Sequence, residues 1–381
     1  MHTLQPLVVV AGPTASGKTA LAVELARRLD GEVVSADSMQ VYLPLRIGTA
    51  RPTAEEMEGI PHHLLGFLPL CTSYSVAQYA ADAHAAIARV GERGRLPILC
   101  GGTGLYIQAV TDNLVFPERA GDPALRAALR GRAETEGGEG LLEELRAVDP
   151  DTAGRLHPHD IGRIVRALEV YAVTGRTITE QNRLSRRDGP RYRCAGLLLD
   201  FRDRQILYDR IGRRVDRMLE QGLLEEAERV LSSEDAPTAM QAIGYKELAP
   251  YFRGEIPLSD AVEKLKQETR RYAKRQLSWF RRMPLTPLYV DEMPDGRALA
   301  EEAERIVASV LAYERRTPWI PSIWPVWTPR TSGRSGSPTR TSWPTPVLTT
   351  SPTRKWTLPS MTTGTMSFKE KEELHYELRN I

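Results

Sequence analysis

The chain has 381 residues, and its 51 lysines and arginines against 49 aspartates and glutamates give a formal net charge of +2. This balance excludes a polycation, so any surface for nucleic acid has to be a local patch. Three cysteines, at positions 71, 100 and 194, are too few and too widely spaced for a disulfide scaffold or a zinc site, which is typical of a reducing cytoplasm. No signal peptide is recognisable, and no apolar run reaches the roughly 18 residues of a transmembrane helix, so we expect a cytoplasmic protein outside the membrane.

The first predicted element is a strand over residues 7–10, which leads into Gly12-Pro13-Thr14-Ala15-Ser16-Gly17-Lys18-Thr19 and then a helix over 20–29. The segment matches G-x-x-x-x-G-K-S/T, a phosphate-binding loop whose backbone N–H groups and following helix N-terminus surround a phosphate. We expect Lys18 to reach a terminal phosphate and the Thr19 hydroxyl to bind Mg²⁺. Because the flanking strand and helix fit this role, we favour it over a chance match in a Gly-rich turn.

Two further strands are predicted over residues 32–36 and 96–100, with a helix over 76–90 between them. Strands that alternate with helices indicate a parallel sheet covered on both faces, so the fold class is α/β with a P-loop NTPase-like sheet. Ligands gather at the carboxyl ends of such strands, where the sequence places Asp37-Ser38-Met39-Gln40 and Gly101-Gly102-Thr103.

Asp37 has two interpretations. A carboxylate directly after a strand, at the edge that carries the phosphate loop, is placed to act as a general base or a Mg²⁺ ligand. Alternatively, it only caps the next turn through the backbone. The Thr103 hydroxyl is a candidate donor to a leaving oxygen, although Gly-Gly turns are common.

From residue 122 the pattern becomes helical, and leucines at 125, 129, 141, 142, 145 and 156 are spaced as one apolar stripe. We interpret residues 122–190 as a helical insertion between a first part of the core, 1–121, and its completion, 191–316. The completion contains strands over 195–201 and 287–291 and helices around 203–231, 258–282 and 297–313.

Basic residues mark two of these helices. Arg163 and Arg166 share one face of a helix over 161–173, which indicates either a solvated surface or an RNA contact. The stretch 264–282 carries eight lysines and arginines among Tyr272, Trp279 and Phe280. There we expect the basic residues to face RNA and the aromatic residues to face inward. His62 and His63 have no further ligand nearby and are interpreted as structural.

After residue 316 the composition changes to Pro, Thr, Ser, Arg and Trp. Such a segment cannot bury a continuous apolar face, so 317–381 is predicted to be a disordered C-terminal tail. Its five tryptophans leave open a contact with a partner; the alternatives are an unstructured tail or a non-native reading frame.

Taken together, the motifs resemble the bacterial-type tRNA dimethylallyltransferases, also called tRNA isopentenyltransferases, over about residues 6–313. The phosphate loop, Asp37-Ser38-x-Gln40 and Gly101-Gly102-Thr103-x-Leu105-Tyr106 carry this resemblance. Further matching segments are 47–52, 61–64, 156–158, 163–169, 242–247 and 271–280.

The resemblance implies transfer of a dimethylallyl group from its diphosphate to N6 of the adenosine on the 3′ side of the tRNA anticodon. The partners would be dimethylallyl diphosphate and the anticodon stem-loop, with Mg²⁺ as cofactor, and we expect a monomer. Carried over by residue, Gly12 to Thr19 bind the diphosphate, Asp37 is the base, and Thr103 and Arg126 lie near the reacting groups. The residues implied to contact tRNA are Asp37, Ser38, Met39, Gln40, Thr103, Arg126, Gly162, Arg163, Ile164, Val165 and Arg166.

Two other functions fit the phosphate loop taken alone. A small-molecule kinase would use the loop for ATP and would have an Arg-rich lid and an acceptor site. A non-catalytic RNA-binding module would tolerate the loss of Asp37.

Overall fold

The computed structural model describes residues 4–116, 121–185, 189–233 and 242–311. The predicted tail, 317–381, lies outside the described residues. The end of the last predicted helix, residues 312 and 313, lies outside them as well.

Six parallel strands form one sheet in the described part of the chain, in the order β3-β2-β4-β1-β5-β6. This confirms the predicted α/β fold class. The strands are β1 Gln5–Ala11, β2 Gly31–Ser35, β3 His62–His63, β4 Leu96–Gly101, β5 Tyr192–Asp200 and β6 Thr286–Tyr289.

The described part of the chain has fourteen α-helices, of which one group covers the two faces of this sheet and the others lie in separate apolar clusters. The fourteen are α1 Lys18–Leu29, α2 Ala54–Met57, α3 Val76–Glu92, α4 Gly104–Thr111, α5 Pro123–Glu136, α6 Glu139–Val148, α7 Pro150–Ala153, α8 Ile161–Thr174, α9 Ile178–Leu184, α10 Arg204–Glu220, α11 Leu223–Leu231, α12 Ala249–Phe252, α13 Leu258–Phe280 and α14 Gly296–Leu311. A short 3₁₀ helix, Val290–Glu292, follows β6.

The central strand β1 separates two apolar layers. Val8 and Val10 pack with α1 and α14, whereas Leu7, Val9 and Ala11 pack with α3, α4, α10 and α13. Successive side chains of a strand point to opposite faces, so the uninterrupted apolar run fits a strand that is covered on both sides.

The chain leaves the two neighbouring strands β1 and β4 toward opposite faces. After β1 it enters α1, and after β4 it enters α4, which packs in the other layer. Such a reversal opens a crevice at the carboxyl ends of the two strands, where ligands of α/β proteins bind. The phosphate-loop motif and the loop that begins at Gly101 border this crevice.

The helical insertion has an apolar cluster of its own. Leu129, Leu141, Leu142 and Leu145 are buried in it, and Leu125 and Leu156 pack against it. The predicted leucine stripe is therefore confirmed. The insertion still belongs to the same compact unit as the sheet.

Some predicted elements differ from those observed. The pattern over 203–231 is two helices, α10 and α11, because the chain turns at Gly222, whose φ of 96° favours glycine. Helix α4 was not predicted, because its short run from Gly104 to Thr111 is largely apolar and has little periodicity. Strand β3 was missed because it has only two residues.

Gly101 is a position where the backbone leaves no room for a side chain. A Cβ atom there would overlap the Ala36 carbonyl group, whereas a Cβ atom on Gly131, inside helix α5, would meet nothing within 4 Å. We expect Gly101→Ala to lower the free energy of unfolding by about 1–3 kcal/mol, the usual cost of overpacking. Gly131→Ala, as the matched control, should raise it by roughly 0.5–1 kcal/mol. Urea unfolding of both variants tests this, and equal effects would contradict it.

Candidate active site

The phosphate-loop segment lies between β1 and α1 as the sequence predicts. Gly17 is the N-cap residue of α1, with a φ of 93° and no side-chain cap, and Ala15 has a φ of 62°. The N–H groups of the first helical turn have no partner within the helix. Together with the positive end of the helix dipole, they make this turn suited to an anion.

The ammonium group of Lys18 lies inside this loop, where Nζ donates to the carbonyl oxygen of Pro13 at 3.1 Å. Burial, and after it the positive charge of Arg214, lowers the pKa of Lys18 to about 8. A bound anion would favour the charged form of this lysine.

Asp37 follows β2, and only one of its carboxylate oxygens is used to shape the turn. Oδ1 accepts hydrogen bonds from the N–H groups of Met39 at 2.9 Å and Gln40 at 3.3 Å. The turn-capping interpretation is therefore correct for Oδ1, and among the described residues no hydrogen bond engages Oδ2, which could take a proton or a cation. The two interpretations of Asp37 are compatible.

Thr103 connects the loop after β4 to the loop after β2. Its N–H donates to the carbonyl oxygen of Ala36 at 3.1 Å, and its Oγ1 accepts from the N–H of Ser38 at 3.0 Å and donates to the Ser38 hydroxyl at 3.3 Å. Thr103 is thus held beside the segment that begins with Asp37.

The loop after Tyr42 is anchored by a buried carboxylate, Glu226 of α11, which is 3% exposed. It accepts from the N–H groups of residues 46, 47 and 48 and from the Tyr245 hydroxyl. The anchored loop in turn holds Gln40, whose Nε2 donates to the carbonyl oxygens of Thr49 and Ala50. Two matched segments of the sequence, 47–52 and 242–247, therefore meet here and position Gln40.

A cleft of about 1930 Å³ joins these loops. Its lining includes Thr14, Ala15 and Gly17 to Thr19 of the phosphate loop. Asp37 to Gln40 and residues of α10, α11 and α13 also line it. Both the first turn of α1, which is suited to an anion, and the Asp37 carboxylate therefore face one space.

Many lining residues were not predicted to belong to the site, and four of them lie on the faces of α10 and α13 that border the cleft. Arg210 donates from Nε to the carbonyl oxygen of Ala15 at 2.9 Å, and Arg214 lies one helical turn further along α10. Tyr272 and Gln276 line the cleft from α13. The i,i+4 spacing of Arg210 and Arg214 does indicate that the two arginines share one face of a helix. Nothing in the sequence shows that this face of α10 meets the phosphate loop.

The remaining predicted site residues lie in the insertion and do not line the cleft. Arg126 and Arg166 both bind Glu169, whose carboxylate is fully buried, at 2.7 and 2.9 Å. The Arg126 and Arg166 guanidinium groups are therefore held together by one carboxylate, and Arg163 is exposed nearby on α8. Gly162 has open space around its Cα.

Ile164 and Val165 were also carried over as contacts with tRNA. Their side chains are 0% and 1% exposed and belong to the apolar cluster of the insertion. Their side chains cannot reach an RNA, and their contribution to the site is to fix helix α8 on its cluster.

Helix α13 agrees only in part with the expected division between basic and aromatic residues, since Lys266 and Arg270 are half-buried and Tyr272 lines the cleft. Phe280 is fully buried and Trp279 packs against the core, whereas Lys274 and Arg275 are exposed. Arg275 also lines the cleft, so positive charge continues from the cleft onto the surface.

His62 and His63 have structural partners. Nε2 of His63 lies 2.6 Å from the Glu32 carboxylate, and Nδ1 of His62 lies 2.8 Å from the carbonyl oxygen of Ile60. Among the described residues, no three His, Cys, Asp or Glu side chains come together as a metal-binding group. The described helices also include none that is long and apolar enough to cross a membrane.

Comparison with known proteins gives one consistent family. Residues 40–283 match the family model "IPP transferase". A tRNA dimethylallyltransferase of Thermoanaerobacter sp. (strain X514) is 44% identical over 312 residues, which are 81% of this chain and 99% of that protein.

Solved structures agree with this result. The full-length tRNA isopentenylpyrophosphate transferase of Bacillus halodurans is 40% identical, with a TM-score of 0.61 over 81% of this chain and 97% of that one. A eukaryotic dimethylallyltransferase, in a structure described as acting on tRNA, is 30% identical, with a TM-score of 0.66 over 80% of each chain.

The pKa of Lys18 predicts how anion binding depends on pH. In the protein without diphosphate, Lys18 loses its proton above about pH 8. Over that range the affinity of the wild type for inorganic diphosphate should fall up to tenfold per pH unit relative to that of Lys18→Arg, since arginine stays charged. Calorimetric titrations between about pH 7 and pH 9.5 measure this ratio, and the comparison cancels the titration of diphosphate itself. Parallel curves for the two proteins would contradict the prediction.

Proposed function

We propose that this chain, which belongs to the IPP transferase family, transfers a dimethylallyl group from dimethylallyl diphosphate to N6 of the adenosine on the 3′ side of the tRNA anticodon. One observation carries the proposal: a single cleft is lined by an anion-binding turn and by a carboxylate with a free oxygen. The first suits a diphosphate leaving group, and the second suits removal of a proton from an amine.

The phosphate loop would bind the diphosphate and stabilise its departure. When the allylic C–O bond breaks, negative charge grows on the departing oxygen. Oriented N–H groups at the start of α1, the Lys18 ammonium and the Arg214 guanidinium are positive groups fixed around that place before the reaction. Such preorganised groups stabilise a developing charge without reorganisation.

Mg²⁺ fits the donor set of this turn. The Thr19 hydroxyl lies in the first turn of α1, and both Thr19 and Asp37 line the cleft. A magnesium ion commonly takes one or two protein oxygens and completes its shell with substrate phosphates and water. Thr19 would hold the ion, which when bound supplies charge neutralisation on the diphosphate.

Asp37 would act as the general base. The N6 lone pair forms a bond to the allylic carbon as the C–O bond to diphosphate breaks, and the excess proton passes from N6 to Oδ2 of Asp37. The adenine has to leave its stack to reach Asp37. The segment from Ser38 to Gln40, held by Thr103 and by the Glu226-anchored loop, would receive it.

The surface for tRNA would be the exposed basic residues beside the cleft and on the insertion. Lys274 and Arg275 on α13 and Arg163 on α8 are exposed. Such residues contact phosphates and position an RNA rather than read its bases. A cytoplasmic, monomeric enzyme remains part of this proposal.

One assay separates this function from an ATP-dependent kinase. We expect label from dimethylallyl diphosphate to enter unmodified tRNA in the presence of Mg²⁺ and without ATP. Label that enters a product only from ATP would favour the kinase, and tRNA binding without any transfer would favour a non-catalytic module.

Replacing Asp37 tests the base. Asp37→Asn keeps an oxygen that can accept from Met39 and Gln40 but removes the base, so the transfer rate should fall about 10²–10⁴-fold. Its affinity for tRNA should stay within a few-fold of the wild type. Single-turnover prenylation and a filter-binding assay give the two values. A near-normal rate for this variant would remove Asp37 from the base role.

A further inference from the structure

Gln276 of helix α13 lies at the crevice between the loops that follow β1 and β4. Its side chain is only 6% exposed. Oε1 accepts a hydrogen bond from the N–H of Thr14, in the phosphate loop, at 2.9 Å. Nε2 donates to the carbonyl oxygen of Gly102, in the other loop, at 2.8 Å. One side-chain amide group therefore links the loop after β1 to the loop after β4.

The chemistry of these two partners requires an amide. A backbone N–H needs an acceptor and a carbonyl oxygen needs a donor, which also fixes the orientation of the Gln276 side chain. A glutamate would present a second acceptor to Gly102, and an apolar side chain would leave both backbone groups unpaired. The fit is tight, because a Cβ atom on Gly102 would overlap Nε2 of Gln276.

Neighbouring residues of α13 contact the same two loops. Burial raises the pKa of the Tyr272 hydroxyl, which faces the side chains of Thr103 and Gln276, and these two side chains act in the opposite direction. The Trp279 ring lies so close to Gly104 that a Cβ atom there would overlap it. Residues 272, 276 and 279 are four and three positions apart and share one face of the helix. This face therefore contacts both loops of the crevice.

We propose that Gln276 is a positioning residue that sets the distance between the diphosphate-binding loop and the loop that carries Thr103. Through the bonds from Thr103 to Ala36 and Ser38, this distance also fixes where Asp37 lies relative to the donor. The inference rests on the proposed transfer reaction. Two reacting groups have to be held near contact distance, and a misplacement of about 1 Å can cost 10²-fold in rate.

A wider gap would also change the products. If the C–O bond of the donor breaks before the amine is in reach, a water oxygen bonds to the allylic carbon instead. The products are then diphosphate and dimethylallyl alcohol, and the proton of the attacking water goes to solvent. Diphosphate release would no longer match prenylation of tRNA.

The test compares Gln276→Glu and Gln276→Leu with Gln267→Glu. Gln267 lies on the same helix and is exposed, and its side chain accepts a hydrogen bond from Lys264 at 3.5 Å, so its variant controls for the added charge. In each reaction, diphosphate release and tRNA prenylation are measured together, with kcat and both KM values. A thermal unfolding curve for each variant measures whether it is folded at the assay temperature.

For both Gln276 variants we expect kcat to fall about 10–100-fold, with the KM for tRNA within about threefold. The ratio of diphosphate released to prenyl groups transferred should rise above one. The excess diphosphate should be matched by an equal amount of dimethylallyl alcohol. Gln267→Glu should keep the wild-type ratio. An unchanged ratio and kcat in both Gln276 variants would overturn the inference, as would a loss of activity explained entirely by unfolding. A wild-type protein that transfers nothing would instead overturn the proposed function, on which the inference rests.

Discussion

The structure depends on the pairing of one buried strand with its two neighbours. Residues Leu7 to Ala11 of β1 are fully buried and pair in parallel with β4 on one side and β5 on the other. Because parallel strands end at the same edge, this pairing places the start of the phosphate loop beside Gly101. Backbone hydrogen bonds from Ala36 to Cys100 and from Thr103 to Ala36 then bring in the loop after β2. Backbone hydrogen bonds alone therefore bring the loops after β1, β2 and β4 together.

Side chains from distant helices complete this edge and concentrate positive charge there. Lys18, Arg210 and Arg214 lie around one turn of backbone, and burial lowers the pKa of all three. Burial of these cations and the repulsion between Arg214 and Lys18 make this arrangement unfavourable, and the Asp37 carboxylate opposes that effect at Lys18 and Arg214. Apolar packing of Leu207 and Ile211 and the bond from Arg210 to Ala15 hold α10 against the phosphate loop, and the proposed diphosphate would offset the concentration of positive charge there.

The sequence predicted what is encoded locally and missed what depends on tertiary contacts. The phosphate loop, β1, β2 and β4, and the position of Asp37 follow from residues that are close together in the chain. Arg214 and Gln276 reach the same cleft from helices about 200 residues or more further along the chain. No local pattern shows which face of α10 or α13 meets the loops. The burial of Glu226 was not predictable from the sequence either, since a glutamate in an amphipathic helix is usually solvated.

The two edges of the sheet have a consequence for self-association. In the part of the chain that the structure describes, one edge strand is only two residues long, and the other has four residues with Pro287 among them. Short edges and a proline without an N–H give a second chain few backbone groups to pair with, which guards a parallel sheet against intermolecular strand addition. Both margins of the sheet therefore offer little backbone for a second copy of the chain to pair with.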